Sequence, residues 1–446
     1  MGIFLSICFI LLEISLMVFS FSRFSEKKQW LFARCIFRAA EIIVFLVVML
    51  LPNVTFDFKY KMCFVILLIR LLRAFLMYMI RRTTATGKRS KAGAVFGAIA
   101  SILILVMSLI PSFIFTEYAG LETTGEYETG EAAAILIDKN RVEAFETDGS
   151  NREIPMHFYY PKTDENLSGS CPVVVFSHGA FGYYQSNTST YMELASNGYV
   201  VISLDHPYHS FFTEDTTGKL ITVDPSFLQE VMYVNENNTP ETDINDLSHK
   251  WLELRKADIN CVLDSLETAK QSGVVDDAWF ITNEEDKSTI AHILNIANVE
   301  KIGLMGHSLG GAASVTLGRE RDDVDAVIDL DGTMLGEQIA FVDGQYRYVE
   351  EPYPVPVFAL DSEIHYEQGQ EYGNLYVNHY VLEHALDSKH EYIAGTAHMN
   401  FTDLPLFAPP LAAMLGTGTV DATECVESMN AMVLEFMNHY LMESGE

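Results

Sequence analysis

Residues 301–318 read KIGLMGHSLGGAASVTLG, and this stretch decides the fold. Lys301–Met305 is a short apolar run of the kind that makes a buried strand, and Leu309–Gly318 is a small-residue helix. Between them Gly306-His307-Ser308-Leu309-Gly310 forms a G-x-S-x-G turn. A turn of this kind, with a strand before it and a helix after it, lifts the serine hydroxyl to the carboxyl end of a sheet. The glycines let strand and helix backbones approach closely. The helix N-terminus offers partial positive charge to a developing anion. Ser308 is therefore the expected nucleophile. An ordinary glycine-rich turn could carry the same five letters, but both flanks favour the nucleophile.

Outward from this turn, strands alternate with helices. Ala132–Ile137, Ile154–Tyr160, Pro172–Ser177, Gly198–Leu204, Val324–Leu330, Val355–Leu360 and Glu391–Ala394 read as strands. Ser189–Ser196 and Leu247–Gln271 read as helices, and His209–Asp246 as an acidic insertion. This alternation predicts an α/β domain over 130–446, a mostly parallel sheet with helices on both faces.

The strand Pro172–Ser177 runs into His178-Gly179-Ala180, where the second donor to an oxyanion is expected. The predicted donors are the backbone N–H groups of Ala180 and Leu309. His178 reads as a structural hydrogen-bonding residue, since it precedes the nucleophile. His398, after the strand Glu391–Ala394, is the expected general base; His384 and His390 read as surface residues. Asp331, which ends one late strand, and Asp361, which ends the next, are rival candidates for the acid that orients His398. Residues alone leave them nearly even; Asp329 falls inside its strand.

Upstream the chemistry changes. Apolar stretches at about 2–21, 31–51, 62–80 and 94–115 each approach the ~20 residues that cross a bilayer as a helix. The first lacks the basic n-region of a signal peptide. Arg23, Lys27 and Lys28 crowd the first loop, and Arg81, Arg82, Lys88, Arg89 and Lys91 the third. Basic loops stay cytoplasmic. The expectation is a multi-pass protein of the cell membrane, N-terminus outside, with everything after Thr116, a linker at 117–129 and the domain that follows, on the extracytoplasmic side. Glu13, Glu41 and Arg70 lie near the centres of three stretches, with Arg73 a turn beyond Arg70. They are expected to face inward and pair, since each unpaired central charge costs about 2.5–3.5 kcal/mol.

Composition fits this division. The 446 residues are 49% hydrophobic and carry a formal charge of −31. Residues 1–116 hold 14 Lys/Arg against 4 Asp/Glu, and the remainder 15 against 56, so the two parts carry +10 and −41. That excludes a nucleic-acid partner, which demands a basic surface. Six cysteines include no C-x-x-C pair, and no His-Glu-x-x-His occurs, so no metal and no cofactor are expected.

In this order, FSHGAFG (176–182), GHSLGG (306–311), LDGTM (330–334) and GTAHMNFTD (395–403) resemble the platelet-activating factor acetylhydrolases. These are the plasma-type enzymes and their bacterial relatives, of the α/β-hydrolase superfamily. The resemblance covers about residues 130–410. GHSLGG is shared by many lipases and esterases; the Leu-Asp and His-x-Asn-Phe-x-Asp blocks are more discriminating. It implies Ser308 as nucleophile, His398 as base, Asp331 rather than Asp361 as acid, and Ala180 and Leu309 as oxyanion donors. It also implies calcium-independent hydrolysis of short or oxidised acyl esters, of phospholipids among others, so a small ester or phospholipid and the bilayer are the expected partners. Three features depart from the family: the His-Gly-Ala-Phe-Gly segment, the 209–246 insertion and the helical region of 1–116. An acyltransferase with the same triad and a non-catalytic sensor or adhesion module are the competing classes.

Overall fold

A computed structural model describes residues 1–442 except 23–25, 53, 164–166, 237 and 283, so Arg23 of the first basic loop lies outside the described residues. The chain forms two compact units, Met1–Ala119 with Leu406–Leu411, and Gly120–Pro405 with Ala412–Glu446.

The first unit contains α1 (Gly2–Phe21), α2 (Lys27–Met49), α3 (Phe58–Arg81), α4 (Lys91–Ser108) and the short α5 (Ile110–Ile114). Three of these, α1, α3 and α4, are long and apolar enough to cross a membrane. The second is not clearly a fourth, because Arg34, Arg38 and Glu41 all fall within its apolar stretch. The stretch 94–115 is divided as well. Pro111 has no N–H and would clash with the preceding turn, so α4 stops at Ser108 and Pro111 opens α5 instead.

This unit inverts the pattern of a water-soluble protein. Ile7, Leu11, Leu46, Ile69, Phe96 and Leu103 are exposed, while Glu13, Arg38 and Glu41 are buried. Arg38 Nη1 bonds Glu13 at 2.5 Å and also pairs with Glu41. Arg70 pairs with Glu13 and lies 3.5 Å from Glu41. The expected inward pairing is present for Glu13, Glu41 and Arg70, with Arg38, not singled out from the sequence, at its hub; Arg73 is instead exposed and pairs with neither acid among the described residues.

The second unit is built on a nine-stranded sheet. Its strands are β1 (Glu128–Val142), β2 (Asn151–Lys162), β3 (Cys171–Ser177), β4 (Val200–Leu204), β7 (Trp279–Phe280), β8 (Ala297–His307), β9 (Ala326–Leu330), β12 (Val357–Ser362) and β13 (Ser388–Ile393). Two hairpins, β5 (Phe212–Glu214) with β6 (Leu220–Thr222) and β10 (Gln338–Val342) with β11 (Gln345–Tyr348), lie apart from it. The order is β13-β12-β9-β8-β3-β4-β2-β1-β7. Neighbours from β13 to β4 are parallel; β2, β1 and β7 add antiparallel pairs. Every residue of β3, β4, β9 and β12 is buried. Successive side chains point to opposite faces, so the middle of the sheet is covered on both.

The helices are α6 (Thr188–Ser196), α7 (Pro225–Val234), α8 (Glu241–Ser272), α9 (Glu284–Ile296), α10 (Leu309–Glu320), α11 (Glu363–Tyr372) and α12 (Val377–His384), with a last long helix at Ala422–Met437. The segment 209–246 holds the β5–β6 hairpin, α7 and the first turn of α8. That helix begins earlier than its apolar periodicity predicts, because Pro240 precedes it and Glu241 and Asp243 sit in its first turn, where acids are favoured. Gly273, at φ 67°, ends it.

Candidate active site

Ser308 has φ 56° and ψ −124°, a conformation that non-glycine residues rarely adopt. Its neighbours show why the turn needs glycine. A Cβ on Gly306 would lie 2.2 Å from the Gly310 carbonyl carbon, and one on Gly310 would lie 1.9 Å from Ser177 O. The strained serine is held by its backbone N–H, which donates to Leu330 O at 2.9 Å. Nucleophile turn and β9 end are thereby joined.

Asp331 follows β9 at φ 53°, and its N–H donates to Leu360 O at 3.0 Å. Its carboxylate accepts from His398 Nδ1 at 2.7 Å, from His365 Nδ1 at 2.9 Å and from Ser362 N at 2.5 Å. A carboxylate only accepts, so both imidazoles carry a proton on Nδ1. Burial pushes the Asp331 carboxyl up, but the bonds from His365 and His398 prevail and hold it well below the usual carboxylate range. His365 is raised above its ordinary value, first by this hydrogen bond. Asp361 lies elsewhere: its Oδ2 accepts from His390 Nε2 at 2.8 Å, and burial pushes it up. Of the two rival acids, Asp331 is the one that His398 bonds. His390, read as a surface residue beside a helix, is instead half-buried on β13. Asp329 is fully buried within β9, neither side-chain oxygen meeting a hydrogen-bond partner among the described residues, and burial pushes it well up.

Ser308 Oγ has no hydrogen-bond partner among the described residues. His398 is nevertheless next door. The His307 ring lies 4.6 Å from that of His398, and His307 Nε2 donates to the His398 carbonyl at 3.1 Å. A serine and its base are commonly set loosely without substrate and tighten around it.

The segment 178–180 adjoins the turn, since a Cβ on Gly179 would come within 2.8 Å of His307 Nδ1 and 3.2 Å of Ser308 Cβ. Gly179 O accepts from His178 Nδ1 at 2.7 Å, Gly182 N at 3.1 Å and Arg255 Nη2 at 3.3 Å. In a trans peptide the N–H points opposite to the C=O. The Ala180 N–H is thus turned away from these three donors. Leu309 opens α10, so its N–H is among those left without an intrahelical acceptor. His178 is fully buried, its Nε2 accepts from Ser210 Oγ at 2.8 Å, and burial holds it well below its ordinary value.

Two further groups were not apparent from the sequence. One is His365, the second donor to Asp331; it sits in the first turn of α11 and belongs to no motif. The other is Arg255 on α8, fully buried, whose Nη1 donates to His178 O at 2.6 Å. Beneath it Ser177 Oγ bonds His206 Nε2 at 3.0 Å, His206 Nδ1 bonds Asp258 at 2.9 Å, and Arg152 pairs with Asp258 at 2.8 Å. These bonds repeat the order of a catalytic triad, but Ser177, His206 and Asp258 are each 0% exposed and out of reach of any substrate.

Asp331, His365 and His398 present ligand atoms within 4.8 Å of one another, a spacing that a metal ion could use. Both histidines, however, already spend their Nδ1 protons on the carboxylate. A cation there would displace both hydrogen bonds, so the trio fits a proton-ordering role better than a ligand set.

A family model described as platelet-activating factor acetylhydrolase, isoform II, matches residues 143–444. The platelet-activating factor acetylhydrolase of Canis lupus familiaris is 24% identical over 277 residues, which cover 60% of this chain and 57% of that protein. That of Bos taurus is 22% identical over 279 residues, with the same shares. The chain thus spans a little over half the length of the curated relatives it matches. A solved ferulic acid esterase from Streptomyces cinnamoneus shares the fold, with a TM-score of 0.51 at 20% identity over 73% of this chain and 93% of that one.

Proposed function

The chain belongs to the platelet-activating factor acetylhydrolase family, and from that premise we propose that it is a membrane-anchored serine ester hydrolase acting on short or modified acyl esters, the sn-2 esters of phospholipids among them. The observation that carries this reading is the Asp331–His398 hydrogen bond beside a serine held in a strained strand-to-helix turn.

In the reaction, Ser308 Oγ attacks the ester carbonyl while His398 Nε2 takes its proton. Asp331 keeps the proton of His398 on Nδ1, leaving Nε2 free to accept, and stabilises the imidazolium that forms. The oxyanion is received by the N–H groups of Ala180 and Leu309, each donor worth roughly 10²–10³ in rate. His398 then returns its proton to the leaving alcohol. Water, deprotonated by His398, releases the acyl group from Ser308. The helices of residues 1–116 hold the enzyme at the bilayer, with the N-terminus and the second unit on the extracytoplasmic side. Two basic loops support that orientation.

A fluorophosphonate probe tests the chemistry. Wild-type protein labels, and Ser308→Ala does not; a folded wild type that fails to label defeats the hydrolase. Release of free acid from a chain-length series of esters and sn-2-acyl phospholipids, with and without added alcohols, separates hydrolysis from acyl transfer.

A further inference from the structure

The first unit contains a half-open cavity of about 220 Å³ lined by Arg34, Arg38, Arg73 and Arg89 together with Glu13 and Trp30. We propose that this cavity binds a phosphate group.

The charge balance argues for an anion. Among the described residues, Glu13 and Glu41 are the acids of this cluster, and both are engaged by Arg38 and Arg70. No carboxylate pairs with Arg34, Arg73 or Arg89 among the described residues. The half-buried Arg34 and Arg89 and the exposed Arg73 therefore bring three positive charges to one cavity of a helical bundle whose exterior is apolar. Arg38 supplies the second observation. Its side chain is 3% exposed, and its Nε–H has no partner among the described residues while the group lines the cavity. A buried donor of this kind stays costly until an acceptor fills the space.

The wall also suits the ligand. Guanidinium groups offer planar pairs of N–H donors that match the oxygens of a phosphate. Arg89 stacks on Trp30 at 3.8 Å and Arg34 lies 5.4 Å from the same ring, which fixes two of the four forks. Gly97 and Ala98 of α4 add little bulk to the lining, and Ser101 adds a hydroxyl. The lining comes from the end of α1, the start of α2, the end of α3 and the start of α4. All lie on the side of the bundle that carries the two basic loops, where lipid phosphates are found.

The phosphate has two sources, a lipid headgroup or the free ion, and the test separates them. Full-length Ser308→Ala protein in an uncharged detergent is titrated calorimetrically with dihexanoyl phosphatidic acid, with inorganic phosphate, and with dihexanoylglycerol as the phosphate-free control. Saturable binding of a phosphate probe is expected, at least tenfold tighter than dihexanoylglycerol, and weakened tenfold or more by Arg34→Gln and by Arg73→Gln. Arg34→Lys, which keeps the charge, should lose less; this variant and the elution profile guard against misfolding. Phosphatidic acid binding tenfold tighter than inorganic phosphate assigns the site to lipid, and equal affinities assign it to the free ion. Absence of saturable binding by both, or affinities untouched by the glutamine variants, overturns the proposal.

Discussion

His398 shares its carboxylate with another imidazole, and that sharing has a pH signature. His365 has gained a partner, so its value is raised. Its stabilising contribution is complete below about pH 6.5 and fades as pH rises through the raised value. Under acidic conditions its positive charge, with rings 5.9 Å apart, opposes a second positive charge on His398. In His365→Gln the amide still donates to Asp331 but never carries charge. The acid limb of the kcat/KM profile should then move to higher pH by on the order of half a unit; an unmoved limb refutes this. In the proposed reaction Arg255 serves the oxyanion side. It fixes the Gly179 carbonyl and through it the direction of the Ala180 N–H. Arg255→Met keeps the stem but removes the donors, and should lower kcat about 10–100-fold with KM little changed, short of the 10²–10³ lost with a whole oxyanion donor. Arg255→Lys should recover part of that loss, and a variant that changes only the melting temperature would reduce Arg255 to a packing residue. Ser308, His398 and the paired acid candidates were legible because each ends a strand or follows one. Arg255 was not, because on an amphipathic helix an arginine reads as solvated, and the carbonyls it serves lie 76 and 77 residues away.

The element that carries His398 is a single short turn, and two of its motif residues are staples. Asn400 Oδ1 accepts from Ala397 N at 3.0 Å and from Gly418 N at 2.7 Å. Asp403, fully buried, accepts from Ser189 N at 2.8 Å and from the Ser189 hydroxyl, pinning the turn to α6. Burial pushes Asp403 up to about 7 against those two bonds. The folded state therefore prefers the protonated acid, and its preference over the unfolded chain erodes as pH rises from about 4 to 7, then levels. Asp403→Asn should flatten that slope, by up to roughly 4 kcal/mol across the window. Parallel slopes of unfolding free energy against pH in variant and wild type would contradict the assignment. The His-x-Asn-Phe-x-Asp block is thus readable as a motif from its letters. That its second half anchors rather than reacts becomes visible only when Ser189, 214 residues earlier, is brought beside it. Other elements hid for other reasons. The two-residue β7 is too short to show a period, and the stretch 94–115 hides a break because its hydropathy is continuous while α4 stops at Ser108 and a separate α5 begins at Ile110.

Across the whole molecule the net charge of −31 conceals a reversal near Thr116, and the compact units part after Ala119. The inclusion of Leu406–Leu411 in the first unit was invisible, since those residues lie about 290 positions from Thr116, whose hydroxyl bonds Leu406 O at 3.1 Å. The inversion of the first unit sets opposite rules of mutational tolerance on the two sides of that boundary. At exposed Leu11, Ile69 or Leu103, exchange for another large aliphatic should be silent, and aspartate should sharply lower protein abundance. At exposed Glu253 or Asp264 on α8 the same aspartate chemistry is native, and leucine is the damaging residue. A saturation scan scored by protein abundance should therefore show hydrophobicity and tolerance correlating positively at exposed sites of the first unit and negatively at those of the second. Natural variation in this chain is expected to drift along two separate alphabets, one for each unit, even where both surfaces are equally free of catalytic duty.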